Sequence, residues 1–187
     1  MDLGPVAKLP HYSVAAKRNG EIIEYASIGR EAALLDNTVK EYYSFLEDTF
    51  MGNYLWPLAA GKKSRLRFYF FYCGVLRAIR GELGEKPELF RTFFIREMIR
   101  IRDYWQKDHV FTFWKERDYE VDLLVDDGSK IALAIQISLD GSLNSSSVAF
   151  SRRFPDVPLV VASLADVADS SEIKPWREVI GVYEQIP

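Results

Sequence analysis

One cysteine and two histidines are all that this 187-residue chain offers to thiol and imidazole chemistry. A single cysteine, Cys73, excludes an intramolecular disulfide and a Cys-built zinc site, and nothing argues for an oxidising compartment. Its plain reading is a small core residue. His11 and His109 are isolated and enter no Ser-His-Asp or Cys-His pattern. Long apolar runs are missing too: none approaches the roughly 18–20 residues of a membrane span. The run "YFFYCGVL" is far too short and reads as a buried strand and turn. The opening "MDLGPVAKLP" lacks the apolar core of a signal peptide. A cytosolic protein without a membrane partner is expected. A large excess of either charge is missing as well, with 24 Lys and Arg against 27 Asp and Glu. The net charge of −3 gives no global attraction to nucleic acid, which leaves only a local basic face.

What is abundant is apolar. Hydrophobic residues make up 48% of the chain, with 12 Phe, 10 Tyr and 4 Trp, enough to bury a core. The length suits one domain or two small ones. Composition divides near residue 85, so the expected domains are 1–84 and 85–187.

The first part reads helical, then β. "LPHYSVAAKRNG" is a weak helix closed by Gly20. "EIIEYASIGREAALL" places Ile22, Tyr25, Ala26, Ile28 and Ala32 near helical spacing. Asp36-Asn37-Thr38 follows as a polar group able to cap a helix. In "VKEYYSFLEDTF", Val39, Tyr42 or Tyr43, Leu46 and Phe50 fall on one face. This is a helix-turn-helix outline. "GNYLWPL" and "RLRFYFFY" are strands flanking "AAGKKS", and a hairpin there would be a wing. That loop is not a phosphate loop. Trp56 stands where the first Gly belongs, Lys63 stands where Ser or Thr belongs, and a strand follows.

The second part opens with "GELGEKPELF". "ELFRTFFIREMIRIRDYWQKD" is an amphipathic helix with Phe90, Phe94, Met98, Ile101 and Trp105 along one side. The strands "VFTFW", "YEVDLLV" and "IALAIQIS" follow. A polar loop over 141–147 leads to a short helix, "SSVAFSRRF". "VPLVVAS" reads as a buried strand, and the helix between it and residue 138 would make a right-handed crossover joining parallel strands. "SSEIKPWREVI" looks like a Ser-capped helix start, and "GVYEQIP" like a last strand.

Three carboxylates stand out: Glu97, Glu120 and Asp122. Glu97 lies beside the apolar stripe of its helix, where a carboxylate needs a pair, solvent or a cation; Arg96 and Arg100 are the candidate pairs. Alternation puts Glu120 and Asp122 on one strand face and Val121, Leu123 and Val125 on the other. A three-residue Asp127-Gly128-Ser129 loop with a bulge would pair Asp126 with Lys130 and Asp122 with Ala134. It keeps one face aliphatic and the even residues together. Metal-dependent phosphodiester hydrolysis needs several oxygen ligands and a cation to serve water and phosphate. A strand like this often leads to Glu-x-Lys. Here Gln136 offers only a neutral carbonyl oxygen, and Ser138 supplies no positive charge. Lys130 is about eight residues off, too far at ~3.3 Å per residue.

These segments resemble a known family. "YASIGREAALLDNTVKEYYSFLEDTF" is similar to the helix-turn-helix in a large bacterial and archaeal group of AAA+-type ATPases. "RFYFFYCGVLRAI" resembles the group's Tyr-Phe-x-Asp-x-Gly-Leu segment. "LFRTFFIREMIR" resembles its Phe-Glu-x-Phe-Val-x-x-Glu-Leu helix, with Glu97 at the Glu. "FTFWKERDYEVDLLV" resembles its Tyr-Tyr-Trp-Arg…Glu-Val-Asp-Phe segment. The likeness runs from about residue 15 to about 140 and more loosely to the end. It implies an α/β (α+β) fold: an N-terminal winged helix, then a small restriction-endonuclease-like mixed sheet flanked by helices. Tyr72 departs from the group's Asp, Ala33 from a turn Gly, Leu35 from a capping Ser, and Gln136 and Ser138 from Glu and Lys. No segment matches the ATPase core, so a fragment, a split gene product or a degraded relative is expected.

The expected function is therefore a non-catalytic module that binds nucleic acid or protein, with a degenerate nuclease-like site. Its vestigial residues are Glu97, Glu120, Asp122, Gln136 and Ser138. No cofactor is expected; if the site survives, Glu97 and Asp122 would hold Mg²⁺. For nucleic acid, Asn37, Thr38 and Lys40 would lie on the third helix, with Lys62, Lys63 and Arg65 in the wing. Arg96, Arg100 and Lys107 would form a further basic strip. Two alternatives remain. One is an active Mg²⁺-dependent nuclease, with Lys115 or Arg117 replacing the lysine. The other is a regulatory subunit of a separate ATPase.

Overall fold

A computed structural model describes residues 10–58, 65–81, 87–164 and 177–187. The chain forms two compact units. One draws on Met1–Leu55 and Arg65–Phe93, the other on Trp56–Ser64 and Phe94–Pro187. The expected boundary between 84 and 85 falls at residues outside those described. The fold is mixed α+β, with helices flanking a six-stranded mixed sheet.

In the first unit, α1 (Pro10–Lys17), α2 (Tyr25–Ala32) and α3 (Asp36–Asp48) precede the strands β1 (Gly52–Pro57) and β2 (Arg67–Phe70). Gly20 turns the chain after α1 at φ 76°, and a Cβ there would meet the Tyr69 ring at 2.9 Å. Asn19 is buried beside it and ties three segments together. Its Oδ1 accepts from Phe70 N at 2.9 Å, and its Nδ2 donates to Thr92 Oγ1 at 2.7 Å.

The second helix begins later than its apolar spacing suggests. Ile22 forms an isolated antiparallel bridge with Arg67, and Ile23 N donates to Leu66 O at 2.7 Å. Those residues are extended, and α2 starts only at Tyr25. The expected cap at Asp36-Asn37-Thr38 is also corrected. The helix already includes Asp36, so Leu35 occupies the capping position and makes no side-chain bond. On α3, Val39, Tyr43 and Leu46 are buried, whereas Tyr42 is exposed. Phe50 leaves the expected stripe because it lies past the helix end at φ 55°. The buried face packs with Phe68, Phe70, Leu76 and Leu89 in one cluster. Tyr43 meets Phe68 edge-on, with ring centroids 5.3 Å apart, an arrangement aromatic quadrupoles favour.

β1 and β2 pair antiparallel from Gly52↔Phe70 to Leu55↔Arg67, which matches the expected hairpin. Glycine is required at 52, since a Cβ there would collide with the Tyr69 carbonyl oxygen. The buried strand expected in "YFFYCGVL" is there at Tyr69 and Phe70, but the rest is corrected: α4 (Cys73–Arg80) starts inside it. Leu76 is its buried anchor, and Gly81 closes it at φ 66°. Cys73 is only half-buried at the helix start, not a core residue.

The long helix α5 (Pro87–Tyr104) carries the apolar stripe as expected, with Phe90, Phe94, Met98 and Ile101 all buried. In the second unit, β3 (Val110–Glu116), β4 (Tyr119–Asp126) and β5 (Ile131–Ile137) pair antiparallel. After α6 (Ser145–Arg153), β6 (Leu159–Ala162) pairs parallel with β5, as expected of a crossover. The hydrogen-bonded order is β2-β1-β3-β4-β5-β6. β6 ends that order, which explains why it is half-buried rather than enclosed. The expected last strand is corrected. α7 (Arg177–Glu184) continues through it, with Val179 and Tyr183 buried one helical turn apart. The expected Ser cap lies outside the described residues.

Candidate functional site

The β4–β5 register decides what the acidic residues can do. Leu123 faces Ile135, Leu124 faces Ala134 and Val125 faces Leu133; a bulge then brings Asp126 opposite Ile131. The expected pairs Asp126–Lys130 and Asp122–Ala134 are therefore corrected: Asp122 comes level with Gln136. The turn is the cause. Asp127 Oδ1 accepts from Ser129 N at 2.9 Å, from Ser129 Oγ at 2.6 Å and from Lys130 N at 3.0 Å. Lys130 thus belongs to the turn, and pairing resumes at Ile131. Those bonds, the Ser129 hydroxyl first, hold the Asp127 carboxyl down at about 2.

The strict alternation along β4 is corrected as well. The β3–β4 register shifts between Thr112↔Leu124 and Trp114↔Val121, so two β4 residues, Asp122 and Leu123, stand against Phe113 alone. Val121 consequently packs with Leu124 and Ala134, not on a separate aliphatic face with Leu123 and Val125.

Asp122 sits at this bulge with no exposed surface. Its Oδ2 accepts from Ile137 N at 2.8 Å and from Gln136 Nε2 at 2.5 Å. The Ile137 amide is the donor that would extend the β4–β5 ladder past Leu123. The carboxylate takes the place of a backbone carbonyl there, which satisfies a buried N–H. Glu120 is half-buried opposite Lys115, whose Nζ lies 3.1 Å from its Oε2. Ser138 donates to Asp140 Oδ1 at 2.5 Å. Asp140 also takes Ser142 N and Ser142 Oγ, and these bonds, Ser138 first, hold its carboxyl down at about 2.

Glu97 is gripped from both sides, by Arg96 at 2.5 Å and Arg100 at 2.8 Å. Burial pushes its carboxyl up, but the two guanidinium bonds outweigh this and leave it below the usual carboxylate range. The expected basic strip is corrected by the same bonds. Arg96 and Arg100 serve Glu97, and Lys107 lies beyond the end of α5, where its Nζ donates to Glu184 O and Ile186 O. Among the described residues, no three His, Cys, Asp or Glu side chains gather as a cation site.

Of the nucleic-acid candidates, Asn37 and Lys40 are exposed on α3 and Thr38 is half-buried there. Arg65 reaches Glu24 at 3.6 Å. Lys62 and Lys63 lie outside the described residues. Around Lys40, α3 exposes Asp36, Glu41, Glu47 and Asp48. The exposed aromatics Tyr42 and Phe45 lie on another flank of α3, where they line a groove with Ile28 and Ala32 of α2.

One concave surface drew no attention as a site in the sequence. Arg117, Arg152 and Arg153 line an open cleft of about 380 Å³ with Trp114 and Tyr119. The adjacent Arg152-Arg153 pair at a helix end was visible, but its meeting with Arg117 depends on how α6 packs against β4. No protein-family model matches the chain, and no curated protein or solved structure does. The site therefore has to be read from its own chemistry.

Proposed function

We propose that the chain is a non-catalytic binding module, a winged helix followed by a degenerate restriction-endonuclease-like domain related to the C-terminal part of AAA+-type ATPases. The observation that carries the reading is the use of Asp122: its buried carboxylate closes a strand ladder and holds Gln136. Glu97 is likewise neutralised by two arginines. Metal-assisted hydrolysis needs ligand oxygens that face one cation and a cation-bound water, and neither carboxylate is offered that way. The order α1, an extended bridge at Ile22, α2, α3 and a β-hairpin supports the winged-helix part. The helix followed by β3-β4-β5, a crossover helix and a parallel strand supports the nuclease-like part.

The α3 surface favours a protein partner over duplex DNA. Four exposed carboxylates against Lys40 repel phosphate. The carboxylates suit a basic partner surface, and Tyr42 and Phe45 on the flank toward α2 suit an apolar one.

Calorimetry with Mg²⁺ and Mn²⁺ tests the catalytic half, on wild type and Asp122→Ala. No cation binding up to millimolar metal and no DNA cutting are expected. Cation binding that Asp122→Ala abolishes, with cutting in Mg²⁺ but not in EDTA, would overturn the reading in favour of a nuclease. Duplex-DNA titrations test the α3 half: Asn37→Ala and Lys40→Ala should leave affinity unchanged. A tenfold loss in either variant would make α3 a DNA-reading helix.

A further inference from the structure

The cleft between the β3–β4 turn and the end of α6 has the chemistry of a phosphate-bearing ligand site. Its cations are Arg117 from the turn and Arg152 and Arg153 from the last turn of α6; Glu116 is its one acid. Elsewhere in the same unit, Arg96, Arg100, Arg102 and Lys115 each hold a carboxylate. Arg117, Arg152 and Arg153 form no ion pair among the described residues; Arg153 only stacks over Phe154, 5.9 Å from its ring centroid. Three arginines against one carboxylate leave the lining with a net positive charge, which a bound anion would offset.

Helix electrostatics accounts for cations at the end of α6. It does not account for Arg117. Glu116 pairs with Tyr119, so Arg117 and Asp118 form a two-residue hairpin turn. Arg117 sits there at φ 54°, a conformation that glycine or asparagine adopts at lower cost. The turn therefore keeps a charged, strained residue facing the cleft.

The apolar lining narrows the ligand further. Tyr119 is 41% exposed and presents a ring on which a base can stack, and Trp114 lies buried behind it. The cleft is open to solvent and about 380 Å³ in volume. With the arginines taken up by phosphate, only Glu116 and the Tyr119 hydroxyl remain on the exposed lining to meet a base edge or a ribose. Phosphate contacts plus one stacking ring, with few groups left for base readout, suit sequence-tolerant binding of a single strand.

We propose that this cleft binds single-stranded nucleic acid without sequence preference, its backbone on Arg117, Arg152 and Arg153 and one base on Tyr119. The assignment does not rest on the reading of α3 or on the fate of the acidic site.

Fluorescence anisotropy of the full chain with a labelled oligo-dT of about ten nucleotides tests it. At low salt, Arg152→Glu/Arg153→Glu should weaken binding at least tenfold, and Tyr119→Ala about fivefold or more. The log–log salt slope of wild type should be about −2, as expected for three phosphate contacts on a single strand. Arg117→Gly should reduce that slope by about 0.7 without loss of thermal stability, because glycine relieves the positive φ. Tyr42→Ala/Phe45→Ala on α3 should change nothing here; if that pair alone weakens binding, α3 and not the cleft is the nucleic-acid surface. Unchanged affinity in the cleft variants, each folded by circular dichroism, would overturn the proposal. So would absence of binding at low salt. Equal affinity for thymidine monophosphate or inorganic phosphate overturns the strand assignment and makes the cleft a site for a small phosphate ligand.

Discussion

Asp122 and Glu97 are both carboxylates kept largely from water, and their neighbours use them differently. Asp122 accepts the Ile137 amide and the Gln136 carboxamide, so truncation leaves two buried donors without an acceptor. Asp122→Ala should lose about 3 kcal/mol of stability in urea unfolding, while Asp122→Asn, which keeps a carbonyl oxygen, should lose clearly less. Glu97 is held by charge. Its folded-state pKa lies below the ordinary value, so its contribution is full above the unfolded-state pKa and disappears as pH falls through the folded one. Glu97→Gln should therefore cost about 1 kcal/mol at pH 7, a modest figure because Arg100 is well exposed. The gap between variant and wild type should close as the pH is lowered below about 4. A gap that stays constant with pH would show that the arginine pairs contribute nothing. At this scale the sequence was only partly legible. The pairing of Glu97 with Arg100 follows from helical spacing, whereas the two donors to Asp122 come from the neighbouring strand.

The turn between α2 and α3 shows local choices that run against local preference. Ala33 takes a left-handed conformation at φ 55°, and Leu35 occupies the cap of α3 without a side-chain acceptor while 77% exposed. Ala33→Gly should stabilise the chain by about 1 kcal/mol by removing the Cβ clash. Leu35→Ser should add about another 1 kcal/mol, since a cap bond is gained and little burial is lost. Both are read as rises in thermal midpoint; a fall for Leu35→Ser would mean that its side chain is needed for packing. Among elements, those with a strong period were legible: α3, α5 and the β3-β4-β5 meander. Those that failed did so for identifiable reasons. In "YFFYCGVL" strand and helix share one apolar run, and α4 is anchored by Leu76 with Ile79 packed beside the same cluster. "GVYEQIP" alternates like a strand, yet Val179 and Tyr183 fix it as one face of α7.

Over the whole molecule, the first turns of α5 belong to the first compact unit. Leu89 and Thr92 open the long helix α5, yet Leu89 packs with Val14, Val39 and Phe70, and Thr92 bonds Asn19. Leu89→Ala should cost about 2–4 kcal/mol. The loss should fall on the amides of α1, α3 and β2 more than on those of β4 and β5, as read by native-state hydrogen exchange. Equal loss in both sets would show that the chain opens as one cooperative body. Charge is also distributed unevenly: a net charge of −3 hides an acidic α3 face and a three-arginine cleft. Bulk charge excludes global attraction to nucleic acid, and it says nothing about either patch.

The sequence by itself determined the helical and β segments with clear periods, the β1–β2 hairpin, the parallel return of β6 and the uncharged Gln136 and Ser138 at the end of β5. These depend on neighbours within a few residues, or on residue identity alone. Only the tertiary structure decided the register that brings Asp122 to Gln136, the bulge that sends Val121 to the side of Leu124, and the meeting of Arg117 with Arg152 and Arg153. A one-residue bulge costs little locally yet redirects every side chain beyond it. A cleft joining residue 117 to residue 153 exists only once α6 has packed on β4.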